Sequence, residues 1–126
     1  MSDEEHKKIL KQGSEKWNQW RKNNPDIIPD LRHANLKHMD LHNYDFHLAY
    51  LNWVNFNGSD LKNCDFRCAH LEDAVIANAD ISYADLREAN ICDCTFSNTK
   101  QEGTLFTLCE QNLNTIYAGS GDEDHD

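Results

Sequence analysis

Residues 69–91 read Ala69-His70-Leu71-Glu72-Asp73-Ala74-Val75-Ile76-Ala77-Asn78-Ala79-Asp80-Ile81-Ser82-Tyr83-Ala84-Asp85-Leu86-Arg87-Glu88-Ala89-Asn90-Ile91, with Leu71, Ile76, Ile81, Leu86 and Ile91 at every fifth place. The register extends outward to Leu31, Leu36, Leu41, Phe46, Leu51, Phe56, Leu61 and Phe66 on one side and to Phe96 on the other, fourteen successive apolar residues at one spacing. Two places before each stands a mostly small residue (Ala34, Ala49, Ser59, Cys64, Ala69, Ala74, Ala79, Ala84, Ala89, Cys94), with larger ones at Met39, Tyr44 and Val54. The place between the two is usually Asp or Asn.

A period of five suits neither common element. In an α-helix five residues advance about 500°, which spreads the apolar positions over every face; in a straight strand an odd spacing sends alternate ones to opposite faces. The chain must therefore turn between hits. If it turns by about a right angle each time, all fourteen side chains point to one axis and four repeats close a coil of about 20 residues. Successive coils then pair as β-ladders about 4.8 Å apart. The register from 29 to 98 makes about 3.5 such coils, an all-β solenoid whose bore is filled by its own side chains.

Segments such as Ala34-Asn35-Leu36, Ala79-Asp80-Ile81, Ala84-Asp85-Leu86 and Ala89-Asn90-Ile91 resemble the alanine, Asp/Asn, leucine core of the pentapeptide-repeat family. That resemblance implies a right-handed quadrilateral β-helix, with the central residue and the one two before it inside and the other three outside. The leader Trp17-Asn18-Gln19-Trp20-Arg21, with Asn24-Pro25 and Pro29-Asp30-Leu31, is similar to segments preceding such repeats in cyanobacterial members.

A solenoid leaves raw ladder edges and an open apolar end, so both ends need covering. Residues 3 to 23 read as one amphipathic helix, with Ile9, Leu10, Trp17 and Trp20 on a shared face and Asn23-Asn24-Pro25 as a stop. Residues 1–28 are thus the expected N-terminal cap. The register fails at Gln101. Phe106 is a place where it can resume, and residues 99–118, with Leu105, Leu108, Cys109, Leu113, Ile116 and Tyr117, are the expected C-terminal cap or a dimer contact; residues 119–126 are an expected disordered acidic tail.

The net charge of −10 lies mostly in the repeats and tail. It argues against direct nucleic-acid binding, which needs cations to displace phosphate counterions, and permits a basic protein partner. No 18-residue apolar run or signal-peptide pattern is present, so the expectation is a cytoplasmic protein without a membrane span. Five cysteines, Cys64, Cys68, Cys92, Cys94 and Cys109, are expected reduced.

The most regular surface features are the columns Asp40, Asp60, Asp80 and Asp45, Asp65, Asp85, the candidate interaction surface. His47, Arg67 and Arg87 run beside the second, where cross-coil ion pairing is expected to relieve stacked like charge. His33, His38, His42 and His47 suggest a metal, but turns every five residues should separate them, leaving only His38 and His42 as corner neighbours; Cys92 and Cys94 should diverge. No metal and no cofactor are expected. No phosphate loop, nucleophile elbow or His-nucleophile pair appears, so no catalytic residue is assigned. The expected function is a rigid noncatalytic interaction module, a monomer or a dimer through a terminal cap. The alternative is a DNA mimic of the kind that protects gyrase, implied by relatives that occupy the DNA-binding groove of topoisomerases.

Overall fold

Residues 3–106 are described by the computed structural model; the expectations for residues 107–118 and for the tail at 119–126 lie outside them. From Asp30 onward the backbone repeats a five-residue cycle. In the first cycle the Ala34 amide donates to the Leu31 carbonyl at 3.0 Å, closing a turn whose third residue, His33, sits at φ 66. A positive φ at that place is the signature of a type II turn. The same sign recurs every fifth residue to Gly103, and thirteen of these corners are not glycine. A non-glycine left-handed residue costs about 1–2 kcal/mol, least for Asn and Asp, which hold Asn43, Asn63, Asp73, Asn78, Asp93 and Asn98.

Between corners, single residues pair in parallel with the residue twenty places on: Asp30 with Tyr50, Asn35 with Asn55, Asp40 with Asp60, Asp45 with Asp65. Four corners separate each residue from its partner, so one coil takes twenty residues. The ladder is bonded along its axis in both directions. Leu36 N–H donates to Asn55 O at 2.8 Å, and Asn55 N–H donates to Ala34 O at 3.0 Å. Among the described residues it runs as far as the parallel pairing of β1 (Asp85–Leu86) with β2 (Leu105–Phe106).

Ladder pairing therefore continues through Gln101 to Phe106, beyond the stretch read as solenoid from apolar residues alone. Gln101 occupies a central position but is only half-buried, and Asp80 still pairs with Lys100 beside it. Backbone pairing does not require the inward side chain to be apolar. Phe106 is half-buried and packs edge-on to Phe96 at 5.7 Å.

All fourteen central residues from Leu31 to Phe96 are at most 1% exposed. Their columns are aromatic or aliphatic in runs: Phe46 and Phe66 stack at 5.4 Å and 15°. Three of the polar residues two places before find backbone partners one coil back, as buried hydroxyls and thiols must find partners. Ser59 Oγ donates to Leu36 O at 2.6 Å, Cys64 Sγ to Leu41 O at 3.0 Å, and Thr104 Oγ1 to Ile81 O at 2.7 Å.

The expected single N-terminal helix is two. Helix α1 spans Glu4–Leu10, capped by the Asp3 carboxylate on the Glu5 and His6 amides, and α2 spans Ser14–Asn23. Gly13 at φ 106, ψ 166 interrupts them in a region only glycine reaches readily. Both helices still deliver the expected face: Leu10 and Trp17 are fully buried, and Ile9 and Trp20 pack against the same core.

The helices also replace the coil that would otherwise lie above. Asp30 O accepts from Asp3 N–H at 2.9 Å, and Asp30 N–H donates to His6 Nδ1 at 3.0 Å. Asn18 accepts from Asp45 N–H and donates to Asn43 O, both at 2.9 Å. Trp17 Nε1–H and Arg21 both donate to Asp45 O, and Arg21 also to His47 O. Tyr44, one of the bulky exceptions in the first coil, plugs its end and donates to Leu10 O at 2.7 Å.

Gly58 is a corner at φ 72 whose missing Cβ leaves room for the His38 ring; an added methyl would meet that ring at 2.5 Å. Gly58→Ala is expected to destabilise by about 1 kcal/mol, from the left-handed backbone and the displaced imidazole. A thermal melt checks it, and an unchanged midpoint would show that the corner accepts a Cβ freely.

Candidate functional site: the carboxylate columns

Every Asp or Asn that precedes a central residue faces outward, on the shoulder of the following turn. Its side-chain oxygen accepts the backbone N–H two residues on: Lys62 to Asp60, Arg67 to Asp65 and Ser82 to Asp80 at 3.0 Å, and Arg87 to Asp85 at 3.1 Å. Asn55 and Asn90 accept equivalently from Asn57 and Cys92, at 2.9 and 3.1 Å. These are Asx turns, and they explain why this place takes Asp or Asn.

The ladder stacks these residues as the period implies, Asp40 on Asp60 on Asp80 and Asp45 on Asp65 on Asp85. The first column ends against Lys100. Charge relief differs from the expected cross-coil pairing. Arg67 grips Asp65 of its own repeat at 3.0 and 2.8 Å, Arg87 grips Asp85 likewise, and Arg32 grips Asp30. The cross-coil contact, Arg67 to Asp85, is longer at 4.0 Å. Two residues along in the same turn bring a guanidinium over a carboxylate already fixed by the backbone, so the short pair forms there.

These pairs hold the carboxylates in their charged form. The Arg32 and Arg87 hydrogen bonds depress the pKa values of Asp30 and Asp85. For Asp65 burial works upward but is outweighed by Arg67, leaving a net depression. A carboxylate whose folded pKa is depressed contributes stability above its unfolded value of about 3.9 and loses it as pH falls through the folded one. Melting temperature is therefore expected to fall between about pH 4 and pH 2, each partly exposed pair contributing on the order of 0.5–1 kcal/mol. Melts recorded at pH 7, 4 and 2.5 test this; a flat profile would mean that the pairs add nothing.

The histidines sit in four settings. His33 stacks on Trp53 at 4.9 Å, and His38 lies over Gly58. His42 and His47 each turn back on the Asp two places before, Asp40 and Asp45. The three-donor groupings among the described residues join each of these two to carboxylates and not to another histidine, and the corner neighbours His38 and His42 are not brought together in them. Sequence reasoning missed the groupings because it followed histidine spacing alone; the signal was the pair of Asp-x-His segments with an Asp twenty residues on from each first Asp. Cys64, Cys68 and Cys94 are free thiols, with burial pushing the Cys64 and Cys94 pKa values up.

Concavities on the outer faces are open. One of about 500 Å³ runs along the Asp45–Asp85 side, lined by His47, Leu48, Arg67, Cys68, Arg87 and Glu88. No described helix is long and apolar enough to cross a membrane.

A family model for pentapeptide repeats matches in eight copies, over residues 30–63, 55–93 and 69–107. The chain belongs to the pentapeptide-repeat family. Solved pentapeptide-repeat proteins share its fold. Rfr23 from the cyanobacterium Cyanothece 51142 is 20% identical, with a TM-score of 0.58, over 63% of this chain and 52% of that one. A second, from Nostoc Pcc 7120, is 29% identical, with a TM-score of 0.50, over 71% of this chain and 76% of that one. The chain thus spans about half the length of Rfr23. Among curated proteins nothing matches.

Proposed function

We propose that this pentapeptide-repeat protein is a rigid noncatalytic interaction module, built on a right-handed quadrilateral β-helix, whose carboxylate-bearing faces bind a protein with a basic surface. Family membership supports the hand and the noncatalytic reading. The observation that carries the proposal is the division of labour within each repeat. The bore is filled by residues such as Phe46, Phe56, Leu61 and Phe66 with no exposure, and the Asp columns stand on the outer faces, fixed by their own turns. Preorganised surface charge of this kind steers and orients a partner. A cytoplasmic location goes with the proposal, supported by the free Cys64, Cys68 and Cys94.

The double substitution Asp60→Asn, Asp80→Asn separates charge from structure, because Asn already caps the equivalent turns at Asn55 and Asn90. It is expected to leave the melting curve within about 0.5 kcal/mol of the original, yet to release a partner captured by the unmodified protein from cells of its source. Retention of that partner at full strength would remove the carboxylates from the interface.

The stacked Asp columns also favour a second reading, a mimic of the DNA phosphate backbone directed at a topoisomerase. Arg67 and Arg87, bonded to two of those carboxylates, weaken the likeness. A gyrase supercoiling titration decides: dose-dependent inhibition supports the mimic, and none at high protein concentration eliminates it.

A further inference from the structure

Two places on the first two coils each gather one histidine and two carboxylates, with one ligand atom from every residue inside a 4.8 Å cluster: Asp40, His42 and Asp60, and one side further round Asp45, His47 and Asp65. The duplication has a simple origin. An Asp-x-His segment occurs twice, five residues apart, and ladder pairing sets the Asp of the next coil beneath each.

The two clusters differ in their neighbours. At the second, Arg21 from α2 places Nη2 3.3 Å from His47 Nδ1 and Nη1 3.7 Å from Asp45 Oδ1, while Arg67 holds Asp65 with two hydrogen bonds. Arginine has no lone pair and keeps its charge at any ordinary pH, so positive charge already fills the place a cation would take. At the first, no arginine is ion-paired to the group among the described residues. Its cationic neighbour is Lys62, 3.8 Å from Asp60 on a half-exposed flexible stem. His42 Nδ1 and Asp40 Oδ1 abut directly, and a ligand atom of Asp60 lies within 4.8 Å of both residues' ligand atoms.

We propose that Asp40, His42 and Asp60 form a surface site for a divalent transition-metal ion, with the Asp45, His47 and Asp65 cluster disabled as a site by Arg21 and Arg67. One imidazole nitrogen and two carboxylates on one side of an ion leave its remaining positions to water. The nitrogen donor selects Ni²⁺, Cu²⁺ or Zn²⁺ over Ca²⁺ and Mg²⁺, which prefer oxygen alone. Both Asp residues are held by their own turns, so little ordering is needed on binding.

Calorimetric titration of the full chain, free of any affinity tag, with nickel chloride tests the site. One saturable equivalent is expected for the unmodified protein. His42→Ala is expected to weaken it about tenfold or more, and His47→Ala to leave it unchanged. Asp60→Asn keeps the turn cap and is expected to weaken binding with no change in the circular dichroism melt, which separates ligand loss from unfolding. The proposal is overturned by any one of three results: no saturable heat with nickel, equal losses from the two histidine variants, or calcium chloride binding as tightly as nickel.

Discussion

Leu61→Lys is expected to abolish the cooperative thermal transition. Leu61 has no exposed surface, and the register of the Asp40, Asp60 and Asp80 ladder places it between Leu41 above and Ile81 below. The bore is walled by paired backbone, so an ammonium group there has no short route to water. An unpaired buried charge costs several kcal/mol, added to the loss of leucine packing at about 2–5 kcal/mol. A domain of this size has only about 5–15 kcal/mol in total. Leu61→Ala supplies the graded control, still folded but melting well below the original. Circular dichroism reads both, and a native melt for the lysine variant would mean that the residue does not face the axis.

Trp17→Ala is expected to lower the melting temperature by more than about 10 °C and to make the protein self-associate. Trp17 is fully buried and begins an aromatic column that continues into the solenoid, 5.8 Å from Phe46 and through it to Phe66. Its indole N–H also satisfies the top of the ladder at Asp45 O, 2.7 Å away. Truncation of a buried tryptophan costs about 3–5 kcal/mol, and each kcal/mol moves a midpoint by about 4–8 °C in a domain of 60–100 residues. The side chain also covers Tyr44 and Phe46, so its loss exposes an apolar end of the solenoid, the arrangement that invites end-to-end contact. Light scattering after size exclusion distinguishes the outcomes. A monomer with an unaltered melt would show that α1 and α2 cover the end without it.

The inward half of the molecule was legible in the sequence because burial acts on the central side chain of each five with no competing demand. Residues from Leu31 to Phe96 could be placed by period alone, and the structure buries every one of the fourteen. The outward half was not legible in the same way. What Asp65 does depends on the turn that follows it and on Arg67 two residues along, a local geometry that periodicity does not report. The break at Gly13 was hidden because residues on either side of it reach the same apolar surface, so a shared face looked like a continuous helix. Gln101 misled for the converse reason: a polar residue at an inward place interrupts the pattern but not the pairing of Asp80 with Lys100 beside it. The His42 and Asp60 proximity needed the twenty-residue offset applied to polar residues, not only to apolar ones.

That fixed offset, Asp30 to Tyr50 and onward to Leu86 with Phe106, has a bearing on how such a chain can change in length. A tandem duplication of one complete twenty-residue unit would lengthen the rod by about 4.8 Å and leave every downstream residue on its original side. A single inserted residue would instead exchange interior for exterior through everything that follows. Growth and loss by whole units are therefore the tolerated genetic events, and the rod can act as a ruler whose graduations are set by the backbone while the markings on each side remain free to vary.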